Sequence, residues 1–140
     1  MGIQEEEYYC LCTILSDILL QHKINLSQKE IANNLTPAKN GFRVDDDKIK
    51  NFLINRGFDY NFYWWNETPF NEPYSVLKEI SNNEGFIGLG DHAYRILKFE
   101  DPTIITVDPA IGLPKDFNYY FIMNSLSKLD GGFGLIKHIG

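Results

Sequence analysis

Four side chains in this sequence have the types that acyl transfer through a cysteine requires: Cys10, His92, Asp108 and Gln4. A thiol supplies the nucleophile, an imidazole takes up its proton, and a carboxylate holds the imidazole in one tautomer. An amide side chain can donate a hydrogen bond to the oxyanion that forms on the attacked carbonyl. The chain has only two cysteines and three histidines, so few such combinations can arise by chance. These residues predict thiol-dependent acyl-transfer chemistry.

Each of these residues also has an ordinary structural interpretation. A single cysteine on a helix is more often a small buried apolar residue. A histidine that follows Gly-Asp, as His92 does, is more often a solvated turn residue, and Asp-Pro at the end of a strand is common turn chemistry. Taken singly, none of the four identifies an active site, and the argument depends on their joint order and spacing.

The nucleophile candidate is expected at the start of a helix. Apolar residues recur at helical spacing between Cys10 and His22, and one face of an amphipathic helix is formed by Leu11, Ile14, Leu15, Ile18 and Leu19. Cys10 lies in the predicted first turn, where the positive end of the helix dipole lowers the pKa of a thiol. Cys12 lies about 200° further round the same helix, so both thiols cannot face one histidine.

Further helices follow from capping patterns and apolar spacing. One begins after Ser27, which forms a capping-box pattern with Glu30, and another begins after three consecutive aspartates and stops at Gly57. The predicted ranges are Ser27 to Leu35, Asp45 to Gly57, Pro73 to about Asn83, and Lys115 to Lys128.

Five β-rich runs predict strands: FDYNFYWW, FIGLG, HAYRILKFE, TIITVDP and FGLIKHI. His92 begins one of them and Asp108 ends the next, with the turn residues Asp101 and Pro102 between. An antiparallel hairpin would make His92 and Asp108 neighbours. Helices followed by strands indicate an α+β domain with an N-terminal helical half packed on an antiparallel sheet.

Composition limits the remaining possibilities. A length of 140 residues fits one domain, residues 1–140, and a net charge of −6 argues against nucleic acid as a main partner. No apolar run reaches the length of a membrane span, and the acidic start MGIQEEEYY is unlike a signal peptide. We therefore expect a cytoplasmic protein with reduced thiols. Cys10, Cys12 and His22 match no zinc-ligand spacing, so no metal and no cofactor is expected.

The order Q-x5-C, then a histidine about eighty residues on, then D-P sixteen residues later resembles the bacteriocin-processing, double-glycine cysteine peptidases. The resemblance covers nearly the whole chain. CLCTILSDILLQHKINLSQKEIANNL looks like the nucleophile helix and the helix after it, GFRVDDDKIKNFLINRGF like the next helical segment, and GLGDHAYRILKFEDPTIITVDPAIG like the histidine strand and the D-P-A-x-G motif.

The resemblance implies a papain-like fold and a role for each candidate residue. Cys10 is then the nucleophile, His92 the general base and acid, Asp108 the residue that orients the imidazole, and Gln4 the oxyanion donor. The family is bacterial, and its members often form the N-terminal domain of peptide-exporting transporters, which implies an association with a transporter. The family usually has Asp before the cysteine and Gly after it, whereas this chain has Tyr9 and Leu11.

Candidate substrate contacts are aromatic. Tyr9 adjoins the nucleophile, and the run Tyr60 to Trp65 contains Trp64 and Trp65, which point in opposite directions if the run is a strand. These aromatic side chains line a substrate groove in one interpretation and pack in the core in the other.

The first functional hypothesis is a cysteine peptidase that cleaves a peptide or protein substrate through an acyl-enzyme, after small residues such as a double glycine. An acyltransferase of the same fold uses the same thiol and base and differs only in resolving the acyl-cysteine with an amine. A non-catalytic peptide-binding domain is the third hypothesis. The chain retains both Cys10 and His92, which disfavours that third hypothesis.

Overall fold

The computed structural model describes residues 3–6, 8–37, 44–64, 72–89, 92–125 and 131–139. Within these ranges the helices are α1 (Cys10–Gln21), α2 (Gln28–Leu35), α3 (Asp46–Ile54), α4 (Glu72–Asn82) and α5 (Tyr119–Ser125). The strands are β1 (Phe58–Trp64), β2 (Glu84–Leu89), β3 (His92–Glu100), β4 (Thr103–Asp108), β5 (Leu113–Asn118) and β6 (Gly131–His138). None of the helices in these ranges is long and apolar enough to cross a bilayer.

The six strands form one sheet in the order β1-β6-β2-β3-β4-β5, and every neighbouring pair is antiparallel. The β3–β4 hairpin expected around Asp101 and Pro102 is present. In an antiparallel hairpin the first strand begins where the second strand ends. The first residue of β3 therefore lies close to the last residue of β4. The sequence prediction of this hairpin is confirmed.

Helices cover both faces of the sheet. On one face α1, α2 and α3 bury their apolar side chains against β1 and the middle of the sheet. On the other face α4 and α5 pack against β2, β3, β4 and β6. Neighbouring strand residues point to opposite faces, so Phe86 belongs to the first cluster and Ile87 to the second. The predicted α+β fold with an N-terminal helical half on an antiparallel sheet is confirmed.

Side-chain caps fix where α2 and α3 begin. The Ser27 hydroxyl accepts a hydrogen bond from the Glu30 backbone N–H at 3.1 Å, and the Ser27 N–H donates to the Glu30 carboxylate at 3.3 Å. This is the reciprocal pattern predicted from the sequence. Asp45 likewise accepts from the Asp47 N–H at 2.8 Å. Both helix starts are therefore set locally.

The helix predicted from Lys115 to Lys128 is wrong in its first part. Residues Leu113–Asn118 form β5, which pairs with β4 as the outer strand, and the helix begins only at Tyr119. Strand pairing outweighs local helix propensity here because the turn after Asp108 directs the chain back along β4. Pro114 fits because an outer strand does not need every backbone donor. Residues 126–128 lie outside the described part of the chain.

Gly131 and Gly132 are the first two residues of β6. The strand requires the second glycine, because a Cβ on Gly132 would overlap the Tyr63 carbonyl oxygen of β1. A Cβ on Gly134 would likewise overlap the Phe86 ring. These glycines are therefore structural residues of a buried strand.

A charged cluster connects α1 to the sheet. Arg95 of β3, with a side chain only 5% exposed, forms ion pairs with Asp17 of α1 and Glu84 of β2. Its guanidinium also donates to the Gln21 side chain at 3.0 Å. Burial lowers the pKa of Arg95 and raises the pKa of Glu84, which shows that both charges are partly removed from water. The cluster therefore holds the N-terminal helix against β3.

Replacing Arg95 by Met should lower the free energy of unfolding by about 3 kcal/mol, because two partly buried carboxylates lose their shared cation. Urea denaturation followed by circular dichroism measures this loss. Lys98→Met is the matched control, because the Lys98–Glu100 pair on the same strand is 59% and 56% exposed. That variant should change stability by less than about 0.5 kcal/mol. Equal losses in the two variants would contradict the assignment.

Candidate active site

His92 and Asp108 contact each other across adjacent strands. His92 is the first residue of β3 and Asp108 the last of β4. The His92 Nε2 atom lies 2.7 Å from Asp108 Oδ1, and the two side chains are 23% and 16% exposed. The expected contact between the two residues is confirmed. Its catalytic role remains a prediction.

The turn after β4 orients the Asp108 carboxylate. Asp108 Oδ1 also accepts from the Ala110 backbone N–H at 2.9 Å, and the Asp108 carbonyl accepts from the Gly112 N–H at 2.7 Å. Gly112 adopts φ +70°, a left-handed conformation that favours glycine. The D-P-A-x-G motif therefore has a physical basis, because its glycine closes the turn that aims the carboxylate at His92.

The contact indicates which imidazole nitrogen carries the hydrogen in the neutral ring. An ionised carboxylate accepts hydrogen bonds and has no proton to donate, so Nε2 of His92 carries the hydrogen. In the neutral ring the lone pair is then on Nδ1. The Tyr94 ring packs edge-on against the imidazole, with ring centroids 4.7 Å apart. Asp108 and Tyr94 together restrict the orientation of the ring.

Cys10 is the first residue of α1 and is fully buried. It belongs to the same apolar cluster as Ala93, the neighbour of His92. The Glu6 carbonyl accepts from the Tyr9 N–H next to Cys10, and the Gln4 N–H donates to the Pro109 carbonyl next to Asp108. These contacts place the start of α1 at the same end of the structure as the His92–Asp108 pair.

Cys12 is held in the core in its neutral form. Burial raises its pKa to about 12, and the proximity of Cys10 contributes further. On the order of one Cys12 side chain in ten thousand is then a thiolate at pH 8. Cys12 is therefore unsuited to act as a nucleophile near neutral pH.

Gln4 lies beside the start of α1 and beside the Asp108 turn. Its side-chain Nε2 donates to the Glu6 carbonyl at 3.1 Å, and the same carbonyl accepts from the N–H of Tyr9, the N-cap of α1, at 3.0 Å. The Gln4 backbone N–H donates to the carbonyl of Pro109 at 2.8 Å. The segment containing Gln4 is thus attached to both sides of the candidate site.

Sequence analysis missed the backbone carbonyls of Glu6 and Pro109 that hold this segment. A carbonyl is present at every position, so no residue type could have indicated them.

The three candidate substrate-contact residues differ in burial and in location. Tyr9 is half-buried and packs against the cluster that contains Cys10. Trp64 is 37% exposed and packs edge-on against Phe62, which contacts the same cluster. Trp65 lies outside the described residues. Tyr9 therefore adjoins Cys10, Trp64 reaches the cluster only through Phe62, and the contact of either residue with a substrate remains a prediction.

The described ranges contain no group of three or more histidine, cysteine or acidic side chains placed to hold a metal ion.

Solved structures of double-glycine peptidase domains share this fold. A double-glycine motif protease from an AMS/PCAT transporter, crystallised with its leader peptide, superposes with a TM-score of 0.71 at 16% identity, covering 97% of this chain and 89% of that chain. The peptidase domain of Streptococcus ComA, a bifunctional ABC transporter of a quorum-sensing pathway, gives 0.69 at 13% identity and covers 98% and 96%.

The N-terminal peptidase C39-like domain of a toxin-secretion ATP-binding protein from Vibrio parahaemolyticus gives a TM-score of 0.59 at 9% identity, covering 96% and 98%. No family model and no curated protein matches the sequence. The chain therefore has the papain-like fold of double-glycine peptidase domains, and the suspected resemblance is confirmed at the level of fold.

Iodoacetamide should modify Cys10 faster than Cys12 at about pH 6 to 7, because Cys12 remains a thiol there. Peptide mapping by mass spectrometry measures both rates. His92→Ala should slow the reaction at Cys10 by removing the base that favours thiolate. Cys10→Ser and Cys12→Ser form a matched pair, and only the first should abolish rapid labelling. Faster modification of Cys12 would refute the assignment of the nucleophile.

Proposed function

We propose that this protein is a cysteine peptidase in which Cys10 is the nucleophile, His92 the general base and acid, and Asp108 the residue that orients the imidazole. The observation that carries the proposal is the 2.7 Å contact between His92 Nε2 and Asp108 Oδ1. It supports a general base at this position, on a fold shared with double-glycine peptidase domains and at the end of the structure where α1 begins with Cys10.

In the proposed reaction the Cys10 proton passes to His92 Nδ1, and the thiolate attacks the carbonyl carbon of the scissile peptide bond. The tetrahedral intermediate collapses when the C–N bond breaks and the leaving amine takes the proton from His92. A thioester to Cys10 remains. Water, deprotonated by His92, attacks this thioester and releases a carboxylic acid and the free thiol. Asp108 stays ionised throughout and stabilises the imidazolium.

Gln4 is proposed as the oxyanion donor, together with the Cys10 backbone N–H at the start of α1. Backbone N–H groups of a first helical turn point out along the axis, and the helix dipole favours negative charge there. The Gln4 amide shares the Glu6 carbonyl with the Tyr9 N–H, which places it next to that turn. The Gln4 Nε2 atom carries two hydrogens, one of which binds the Glu6 carbonyl.

The proposed substrate is a peptide with small residues, such as two glycines, before the cleaved bond. Cys10 is fully buried, so bulk beside the cleaved carbonyl would oppose its approach to the sulfur. Glycine has no side chain and opposes this approach least. One solved structure with this fold holds a leader peptide, and two come from transporters. We therefore also propose that this domain processes a leader peptide in association with a transporter.

A synthetic peptide with a central Gly-Gly followed by Ser should be cleaved after the second glycine. The matched peptide with Val-Val should be cleaved at least about 100-fold more slowly, because branched side chains cannot reach the buried thiol. Mass spectrometry identifies the products and the thioester on Cys10. Cys10→Ala should abolish cleavage and Cys12→Ala should retain it. Failure of the wild-type protein to cleave any such peptide would sink the proposed function.

Gln4→Ala should lower kcat by roughly 100-fold or more, the effect of removing one oxyanion donor. Gln4→Glu, which replaces the donor with an acceptor at nearly the same shape, should lose at least as much. Alkylation of Cys10 by iodoacetamide forms no oxyanion and should proceed at the wild-type rate in Gln4→Ala, whereas the carboxylate of Gln4→Glu disfavours a nearby thiolate and should slow it. Unchanged turnover in Gln4→Ala would mean that Gln4 takes no part in the reaction.

A further inference from the structure

Gln28 contacts the segment that carries Gln4, although 24 residues separate the two in sequence. It is the first residue of α2, and it is a buried polar residue, 9% exposed. Glutamine at this position is unexpected if its only role is to begin a helix, because side chains in a first turn are commonly solvated. Its burial indicates that its amide has specific partners.

The partners lie on either side of Gln4. Gln28 Nε2 donates to the Ile3 carbonyl at 3.0 Å, and Gln28 Oε1 accepts from the Glu5 backbone N–H at 2.8 Å. The Gln28 amide thus makes the two backbone hydrogen bonds that a neighbouring β-strand would otherwise make with this segment. The opposite orientation of the amide would oppose donor to donor and acceptor to acceptor, so only one orientation satisfies both contacts.

Gln4 itself faces the other way. Its backbone N–H donates to the Pro109 carbonyl, next to Asp108. The segment is therefore held from two sides, by Gln28 at residues 3 and 5 and by the Asp108 turn at residue 4. Chain termini are commonly disordered unless such contacts hold them.

The two hydrogen bonds from Gln28 to Ile3 and Glu5 form a clamp, and α2, which carries this clamp, is attached to α1. The Leu26 carbonyl, two residues before Gln28, accepts from the Ser16 hydroxyl of α1 at 2.7 Å. The reciprocal Ser27–Glu30 cap then fixes the direction in which α2 leaves. Gln28 thus fixes the position of the Gln4 segment relative to α1, the helix that begins with Cys10.

We propose that Gln28 is a positioning residue for the oxyanion donor, holding Gln4 at the distance from Cys10 that the reaction requires. This inference rests on the proposed function and deepens it. Without the clamp, residues 3–6 would lose the two backbone hydrogen bonds to Gln28, and the Gln4 amide would spend less time in the productive position.

Gln28→Leu should lower kcat roughly tenfold or more while leaving KM within about twofold, because substrate binding does not use the clamp. The iodoacetamide rate at Cys10 should remain at the wild-type value. Lys29→Ala, on the adjacent exposed residue of α2, is the matched control and should keep wild-type kcat.

A double-mutant cycle separates positioning from general stability. In Gln4→Ala the oxyanion donor is already absent, so adding Gln28→Leu should lower kcat by less than about twofold more. If the fold-losses of kcat in the two single variants multiply in the double variant, the inference is overturned. A kcat within about twofold of wild type in Gln28→Leu would overturn it too.

Gln28→Glu tests the clamp in a variant that keeps the side-chain shape. Its carboxylate still accepts from Glu5 but repels the Ile3 carbonyl, whereas the protonated carboxyl makes both contacts. The ratio of its kcat to the wild-type kcat at the same pH should therefore rise from about pH 8 to about pH 5. A ratio independent of pH would count against the clamp.

The two proposals can fail separately. If the wild-type protein cleaves no peptide, the proposed function fails and this inference falls with it. If the wild-type protein cleaves and only the Gln28 results disagree, the inference alone fails.

Discussion

The buried charge on Arg95 fixes how the N-terminal helices sit on the sheet. Its guanidinium reaches Asp17 and Gln21 on α1 and Glu84 on β2. A buried cation tolerates few arrangements, because any shift that separates it from its carboxylates leaves a charge without water or partner. Sliding α1 by one helical turn, about 5.4 Å, would break the cluster. One interaction therefore determines the register between the helix that carries Cys10 and the strand that carries His92.

The candidate site combines two kinds of positioning. The imidazole and carboxylate are placed locally, because a single hairpin and the turn closed by Gly112 determine their contact. The thiol and the Gln4 amide are placed by distant parts of the chain. Cys10 and Cys12 are equally buried, so exposure does not distinguish them; position on the helix does. Cys10 is the first residue of α1, at the positive end of the helix dipole, whereas Cys12 is the third and lies about 200° further round the helix.

The sequence predicted those features that depend on residues close together in the chain. The Ser27 cap, the amphipathic α1 and the hairpin that joins His92 to Asp108 all have local signals, and the structure contains them. The strand at Lys115 was mistaken for a helix because it exists only through pairing with β4. The role of Arg95 was likewise invisible, since its partners lie 78 and 11 residues away and have no fixed spacing.

The position of β6 has a consequence for the order in which the chain can fold. This last strand lies between β1 and β2, so β1 reaches the rest of the sheet only through it. Phe58 pairs with His138, a loop closure of about eighty residues that is entropically slow to form. During synthesis, helices α1 to α3 and β1 leave the ribosome long before their strand partner. Until β6 has been synthesised, the backbone groups of β1 have no neighbouring strand and are open to pairing with other chains.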